Sequence, residues 1–219
     1  MVDQGGRTKQ LEDDSPGPWT DWTETDRAER AIAFITTYCI PSKGHGAGEP
    51  LTLAPFQREW LREVLADGVR SAVLLLPRGN GKSSLIGALA AWALFDGEPG
   101  QTPDIPVVAS TVQQAKRTSY GALLAYTKNH PALRTRAKIY SATSDTRILV
   151  PSTGGAAYPV SDYIDGLQGL DPTMAVADEL AFLSIEAWDS LMLAGGKRPR
   201  SLVVGIGSPG PSRDCALYQ

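Results

Sequence analysis

The hydrophobic rhythm of the chain changes near residue 70. Residues 1–24 are mostly polar and rich in Gly, Asp and Pro, and are predicted to be a disordered tail. Asp26, a good N-cap, is followed by RAERAIAFITTYC, where Ile32, Ile35 and Cys39 share one face at helical spacing. The segment PSKGHGAGEP is a loop. A second helix follows Leu53, with Pro55 early and Phe56, Trp60, Val64 and Leu65 as its apolar stripe.

From Ser71 the apolar residues gather into short continuous runs. Ser71–Leu76 (SAVLLL) is predicted to be a buried strand, and 84–95 an almost wholly apolar helix. Residues 106–110 (PVVAS) read as a strand and 112–129 as one helix. RILVPSTGGAAYPV reads as two strands around a Gly-Gly turn. Then come a buried strand at 174–177, a helix at 184–193 and a last buried strand, SLVVGI, at 201–206. Buried strands alternating with helices predict an α/β fold, a mainly parallel sheet flanked by helices.

Composition narrows the functional classes. The net charge of −3 excludes coating nucleic acid by bulk charge, so any such contact needs a local basic patch. Arg134-Arg136-Lys138 and Lys197-Arg198-Arg200 are two candidates, though such groups are more often solvated loops. Two cysteines, Cys39 and Cys215, and two histidines, His45 and His130, are too sparse for a zinc site. The longest apolar run, Leu85–Phe95, is too short to span a bilayer, and the first residues lack a signal-peptide core. A soluble, intracellular protein is expected.

The chemistry lies at two strand ends. Pro77-Arg78-Gly79-Asn80-Gly81-Lys82-Ser83, followed by Ser84, joins a strand to an apolar helix. Glycines let backbone N–H groups turn toward phosphate oxygens, and the helix directs its positive dipole end at the same anion. Lys82 is placed to reach the β- and γ-phosphates, and the Ser83 hydroxyl to ligand magnesium. A bare Gly-Lys-Ser is common by chance; the flanking strand and helix favour a nucleotide site, and a second motif has to agree before the chance reading falls away. Leu76 stands where the usual phosphate loop opens with Gly.

The second strand end is Met174-Ala175-Val176-Ala177-Asp178-Glu179. Asp178 is placed to hold magnesium, directly or through water, and Glu179 to act as base toward the attacking water. Alone, the pair would read as a helix cap; with the phosphate loop it reads as ATP hydrolysis. Gln57 matches the N6 donor and N7 acceptor of adenine, or is an ordinary solvent-facing helical Gln. Gly205-Ile206-Gly207-Ser208-Pro209-Gly210 fits a dinucleotide fingerprint by letter, but Pro209 and Pro211 obstruct the helix it needs. Ser208 is instead expected to sense the γ-phosphate.

Between about Leu51 and Gly210 the chain resembles the ATPase domain of large terminase subunits, the motors that package DNA into tailed-phage heads. LAPFQREWL, LLLPRGNGKSS, ASTVQQA, SDYIDGLQGLDPTMAVADELAF and GIGSPG carry the resemblance, in that order. It implies the P-loop NTPase subclass with an added strand between the two Walker strands and a catalytic Glu. It implies ATP and Mg2+ as cofactors. Gln57 would contact adenine, Arg78 and Lys82 would act on the phosphates, Asp178 and Ser83 would hold magnesium, Glu179 would be the base, and Ser208 would couple hydrolysis to DNA movement. Double-stranded DNA, portal protein, small terminase subunit and ring-forming copies of itself are the implied partners, in the host cytoplasm. Gln168-Gly169 stands where many terminases have Arg-Gly, so no trans-acting arginine is assigned there. The family's C-terminal nuclease has no room after Gly210, so residues 25–219 are expected to be the ATPase domain alone. Another DNA translocase or helicase-like ATPase is the runner-up; a non-hydrolysing nucleotide-binding scaffold is the alternative of a different class.

Overall fold

The computed structural model describes residues 13–44, 46–143 and 145–208. The Asp26 carboxylate accepts from the backbone N–H groups of Ala28 and Glu29 and so starts α1 (Arg27–Tyr38). Pro55 opens α2 (Pro55–Val64), at a position where no intrahelical N–H is needed. The apolar stripe of α2 is rotated from the expected one. Leu61 joins Val64 and Leu65 inside, while Phe56 is exposed.

Then follow β1 (Ser71–Leu75), α3 (Lys82–Phe95), β2 (Asp104–Ala109), α4 (Val112–Arg117), α5 (Ser119–Asn129) and α6 (Pro131–Arg134). The chain continues through β3 (Lys138–Ala142), β4 (Asp145–Val150), β5 (Gly155–Ser161), α7 (Ile164–Leu167), β6 (Met174–Asp178), α8 (Ile185–Gly195) and β7 (Leu202–Gly207). All seven strands form one sheet in the order β1-β7-β6-β2-β5-β4-β3. The pairs from β1 to β5 are parallel; β4 and β3 add on antiparallel. Strand β7 lies between β1 and β6, the added strand between the two Walker strands.

One face of the sheet packs on α3, α4 and α5, with α1 and α2 joined to the same core through α3, and the other on α7 and α8. Strands β6 and β7 are buried along their whole length, which is why their sequences are continuous apolar runs rather than alternations. No helix among the described residues is long and apolar enough to cross a membrane.

Four further expectations need correction. Residues 13–24 are not a free tail: a 3-10 turn at Pro18–Asp21 buries Trp19, whose indole N–H donates to Phe95 O at 3.1 Å. Its ring stands edge-on to Phe34, Tyr38 and Phe95. One caged aromatic outweighs a polar surrounding sequence. Strand β1 is an edge strand, with Leu74 buried but Val73 and Leu75 45% and 44% exposed, because α8 packs chiefly on β6 and β7. The helix expected at 112–129 is broken at Thr118 (φ −109°, ψ −120°). Strand β3 was not expected at all; it extends the 145–161 hairpin by one strand.

Candidate functional site

The site lies along the edge where the parallel strands end, the edge at which open α/β sheets bind ligands. Between β1 and α3, Gly79 and Gly81 have φ of 83° and 73°, in the left-handed region. A Cβ at Gly79 would touch nothing within 4 Å, so glycine serves the backbone turn there and not the space. The Asn80 side-chain amide donates to Pro77 O at 3.1 Å and braces the loop. Lys82 Nζ donates to Leu76 O at 2.8 Å, Pro77 O at 3.0 Å and Ser208 Oγ at 3.0 Å. Ser208 Oγ in turn donates to Leu76 O at 3.1 Å. The loop lysine is thus tied to the end of β7.

A cavity of about 330 Å3 is lined by Arg78, Gly79, Gly81, Lys82, Ser83, Ser84 and Glu179. Two of the candidate segments, far apart in sequence, therefore share one space. The Arg78 side chain makes no hydrogen bond or ion pair among the described residues and is exposed. Asp178, by contrast, is 1% exposed and lies behind this surface, its Oδ2 accepting from Ser119 N at 2.9 Å.

Glu179 has φ 59° and ψ 54°, the one non-glycine residue with positive φ among the described residues. Such a conformation costs about 1–3 kcal/mol. It turns the chain out of line with β6, so that Glu179 faces the cavity while Asp178 stays inside. Gly205 and Gly207 make room for this turn. A Cβ at Gly205 would fall 2.4 Å from Leu180 Cδ1, and one at Gly207 3.4 Å from Leu180 N. These glycines of the fingerprint-like run are packing glycines. Its residues from Pro209 on lie outside the described residues, as do His45 and Cys215.

Gln57 is placed beside the loop but does not line the cavity. Its Oε1 accepts from Ala54 N at 2.9 Å, capping α2, and its Nε2 is 3.8 Å from the Cβ position of Gly81. The amide thus has a structural duty that sequence reasoning did not assign. Among the described residues no three His, Cys, Asp or Glu side chains gather as a metal site. Ser83 and Asp178 suit magnesium, which keeps several waters and takes one or two carboxylates together with phosphate oxygens.

Sequence reasoning ran α4 and α5 together as one helix and so missed where α5 starts. Its start is pressed against α3 at Gly87, where a Cβ would lie 2.7 Å from Ala122 Cβ and 2.8 Å from Ser119 O. Tyr126 Oη donates to Ser84 O at 3.1 Å, a second strap between the helices. Together they hold Ser119 N on Asp178. The available signal was Thr118-Ser119, a pair suited to a helix cap inside an otherwise continuous helical pattern.

The basic groups singled out in the sequence are largely committed elsewhere. Arg136 pairs with Asp13 at 2.6 Å, Arg198 with Asp171 at 3.0 Å and Arg200 with Glu98 at 3.3 Å; Lys197 donates to Leu170 O at 2.7 Å.

No family model matches the chain. Over 91 residues, 41% of this chain, it is 36% identical to the large subunit of the terminase of Enterobacteria phage HK97, a stretch that is 18% of that protein. The crystal structure of the HK97 bacteriophage large terminase superimposes with a TM-score of 0.74 over 88% of this chain and 40% of that one, at 24% identity. The large terminase ATPase domain of Thermus phage P74-26 gives 0.54 over 72% of this chain and 65% of that one, at 17% identity. In sequence over those 91 residues, and in fold over most of its length, the chain is similar to the large terminases of bacteriophages, spanning well under half of the HK97 protein.

Proposed function

We propose that this chain is a magnesium-dependent ATPase and that its hydrolysis drives double-stranded DNA into a phage prohead. The observation that carries this reading is the shared cavity, where Lys82 and the glycine loop face Glu179. The loop N–H groups and the α3 N-terminus bind the phosphates, with Pro77, Gly79, Asn80 and Gly81 shaping the turn. Lys82 and Arg78 offset charge on the transferring phosphoryl group. Ser83 would hold magnesium directly and Asp178 would hold it through a water, and the ion would supply positive charge to the phosphate oxygens. The burial of Asp178 and its bond to Ser119 N support the second assignment. Glu179 accepts the proton of the attacking water, a role worth about 10²–10⁴ in rate.

Lys82 now donates to Ser208, and phosphate oxygens compete for the same ammonium. Nucleotide binding therefore loosens the hold of the loop on the end of β7, which gives Ser208 its coupling role. Gln57 contacts adenine through Nε2, the amide atom not engaged by Ala54. The residues from 25 on constitute the ATPase domain, working in the host cytoplasm with portal protein, small terminase subunit and further copies of the large subunit.

Two variants test the assignment. Lys82→Ala should lose ATP binding; Glu179→Gln should keep it and lose turnover, because only the proton acceptor changes. Binding by isothermal titration and phosphate release read the two. An equal loss of ATP affinity in both variants would sink the division of roles.

A further inference from the structure

We propose that Lys43, Lys116 and Arg117 form a seat for the sugar-phosphate backbone of nucleic acid, beside the phosphate cavity. This rests on the ATPase reading for its purpose, but not for its geometry. The three cations line a cavity of about 630 Å3 that is also lined by Ser83 and Ser84, two of the three α3 residues that line the phosphate cavity. Its size falls within the roughly 300–1,000 Å3 of cavities that hold small ligands. No Asp or Glu is among the described residues that line it. None of the three cations makes an ion pair or hydrogen bond among the described residues, in contrast to Arg136, Lys197, Arg198 and Arg200.

In a chain of net charge −3, three unpaired cations around one hollow are a local electropositive field. An anion is the complementary occupant. The hollow is also fixed in shape. Asn129 Nδ2 donates to Ile40 O at 2.7 Å and to Ser42 Oγ at 2.8 Å, holding the Lys43 loop against α5. Leu124 of α5 gives the hollow an apolar wall that a deoxyribose can cover. Charge on one side and apolar surface on the other fit a nucleic-acid backbone better than a bare phosphate ion.

The position gives the seat a consequence. Lys116 and Arg117 end α4, and Thr118 separates them from Ser119, whose N–H holds Asp178. A backbone drawn to these cations bears on the junction that orients the metal-side carboxylate, so DNA occupancy is coupled to ATP turnover.

The test uses the full chain, a short labelled DNA duplex and a series of salt concentrations. Lys43→Gln, Lys116→Gln and Arg117→Gln, singly and together, change exposed or half-buried side chains, and thermal melting checks folding. Each single change should shrink the slope of log affinity against log salt by about 1, and the triple change by about 2–3. ATP affinity and turnover without DNA should stay unchanged, while DNA-dependent turnover falls with binding. An unchanged affinity and slope in the triple variant would overturn the seat, as would a wild-type chain that binds no DNA. Weakened ATP binding without DNA would also overturn it, giving the hollow to the nucleotide instead. A wild-type chain that binds DNA with the expected slopes but never hydrolyses ATP would refute the ATPase reading and leave the seat standing.

Discussion

At the edge where the parallel strands begin, arginines are locked to carboxylates. Arg27 pairs with Glu98, Arg200 with Glu98 at 3.3 Å and Asp67 at 3.5 Å, and Arg198 with Asp171 at 3.0 Å. At the edge where the same strands end, Arg78 makes no such pair among the described residues and faces an open cavity. There the one left-handed non-glycine backbone among the described residues, at Glu179, carries a carboxylate into the same space. Both edges are rich in charge, but among the described residues the first pairs its charges with one another, while the second leaves Arg78 and Glu179 without an ion pair. The difference teaches that charge density in the sequence does not mark a site. Charges held away from internal partners by a rigid frame do.

The comparison is broken most sharply by exchanging one charge at each edge. Arg78→Ala should lower ATP turnover by roughly 10³-fold or more, the range of an arginine acting on a transferring phosphoryl group. Its melting temperature should be unchanged, since an exposed unpaired side chain contributes less than about 0.5 kcal/mol. Glu98→Ala should do the opposite. Its carboxylate side chain is 10% exposed and serves both Arg27 and Arg200, so its loss should cost of order 3 kcal/mol in denaturant unfolding. Turnover per folded molecule should not change.

A change between the two edges sharpens the account further. Gly87→Ala pushes a methyl group into Ala122 and the Ser119 carbonyl, and should cost about 1–3 kcal/mol. It should also lower turnover, because the displaced start of α5 carries the N–H that holds Asp178. A cost in stability with full turnover would show that the Ser119 contact does not matter to the site.

The smallest effect is a pH dependence remote from the site. The His130 ring packs edge-on against Tyr38, and its Nδ1 accepts from Ala132 N at 3.2 Å. Burial holds its pKa below the usual histidine value. The folded pKa is thus depressed, so this stabilisation is complete above the ordinary histidine pKa and is lost as pH falls through the folded value. His130→Asn keeps a cap acceptor and cannot titrate. Its melting temperature should fall less than that of the wild type between neutral and mildly acid pH.

What the sequence made legible was local. Asp26, Ser184 and the glycine loop carry their own turn chemistry, and β6 and β7 are apolar because both their faces are covered. The cavity was legible too, since Lys82 and Glu179 lie in the connections that leave two parallel strands of one sheet, β1 and β6. Less legible was anything set by a distant partner. Val73 and Leu75 are as apolar as buried residues, and only strand order makes them exposed. Trp19 lies in a polar stretch and is buried by Phe34, Tyr38 and Phe95. KIYSA of β3 is short and only partly covered, so it has no strong period. Ser119 gained its place from Gly87, 32 residues earlier, through a close approach that no periodicity records.

The central claim is that Glu179 is held in its backbone conformation for chemistry rather than for folding. Replacing Glu179 by Gly tests it in a single protein. Glycine adopts the left-handed conformation without strain, at the cost of greater freedom in the unfolded chain. The account expects a melting temperature equal to or above that of the wild type, with ATP turnover reduced by about 10²-fold or more. A clear loss of stability with turnover retained would contradict it.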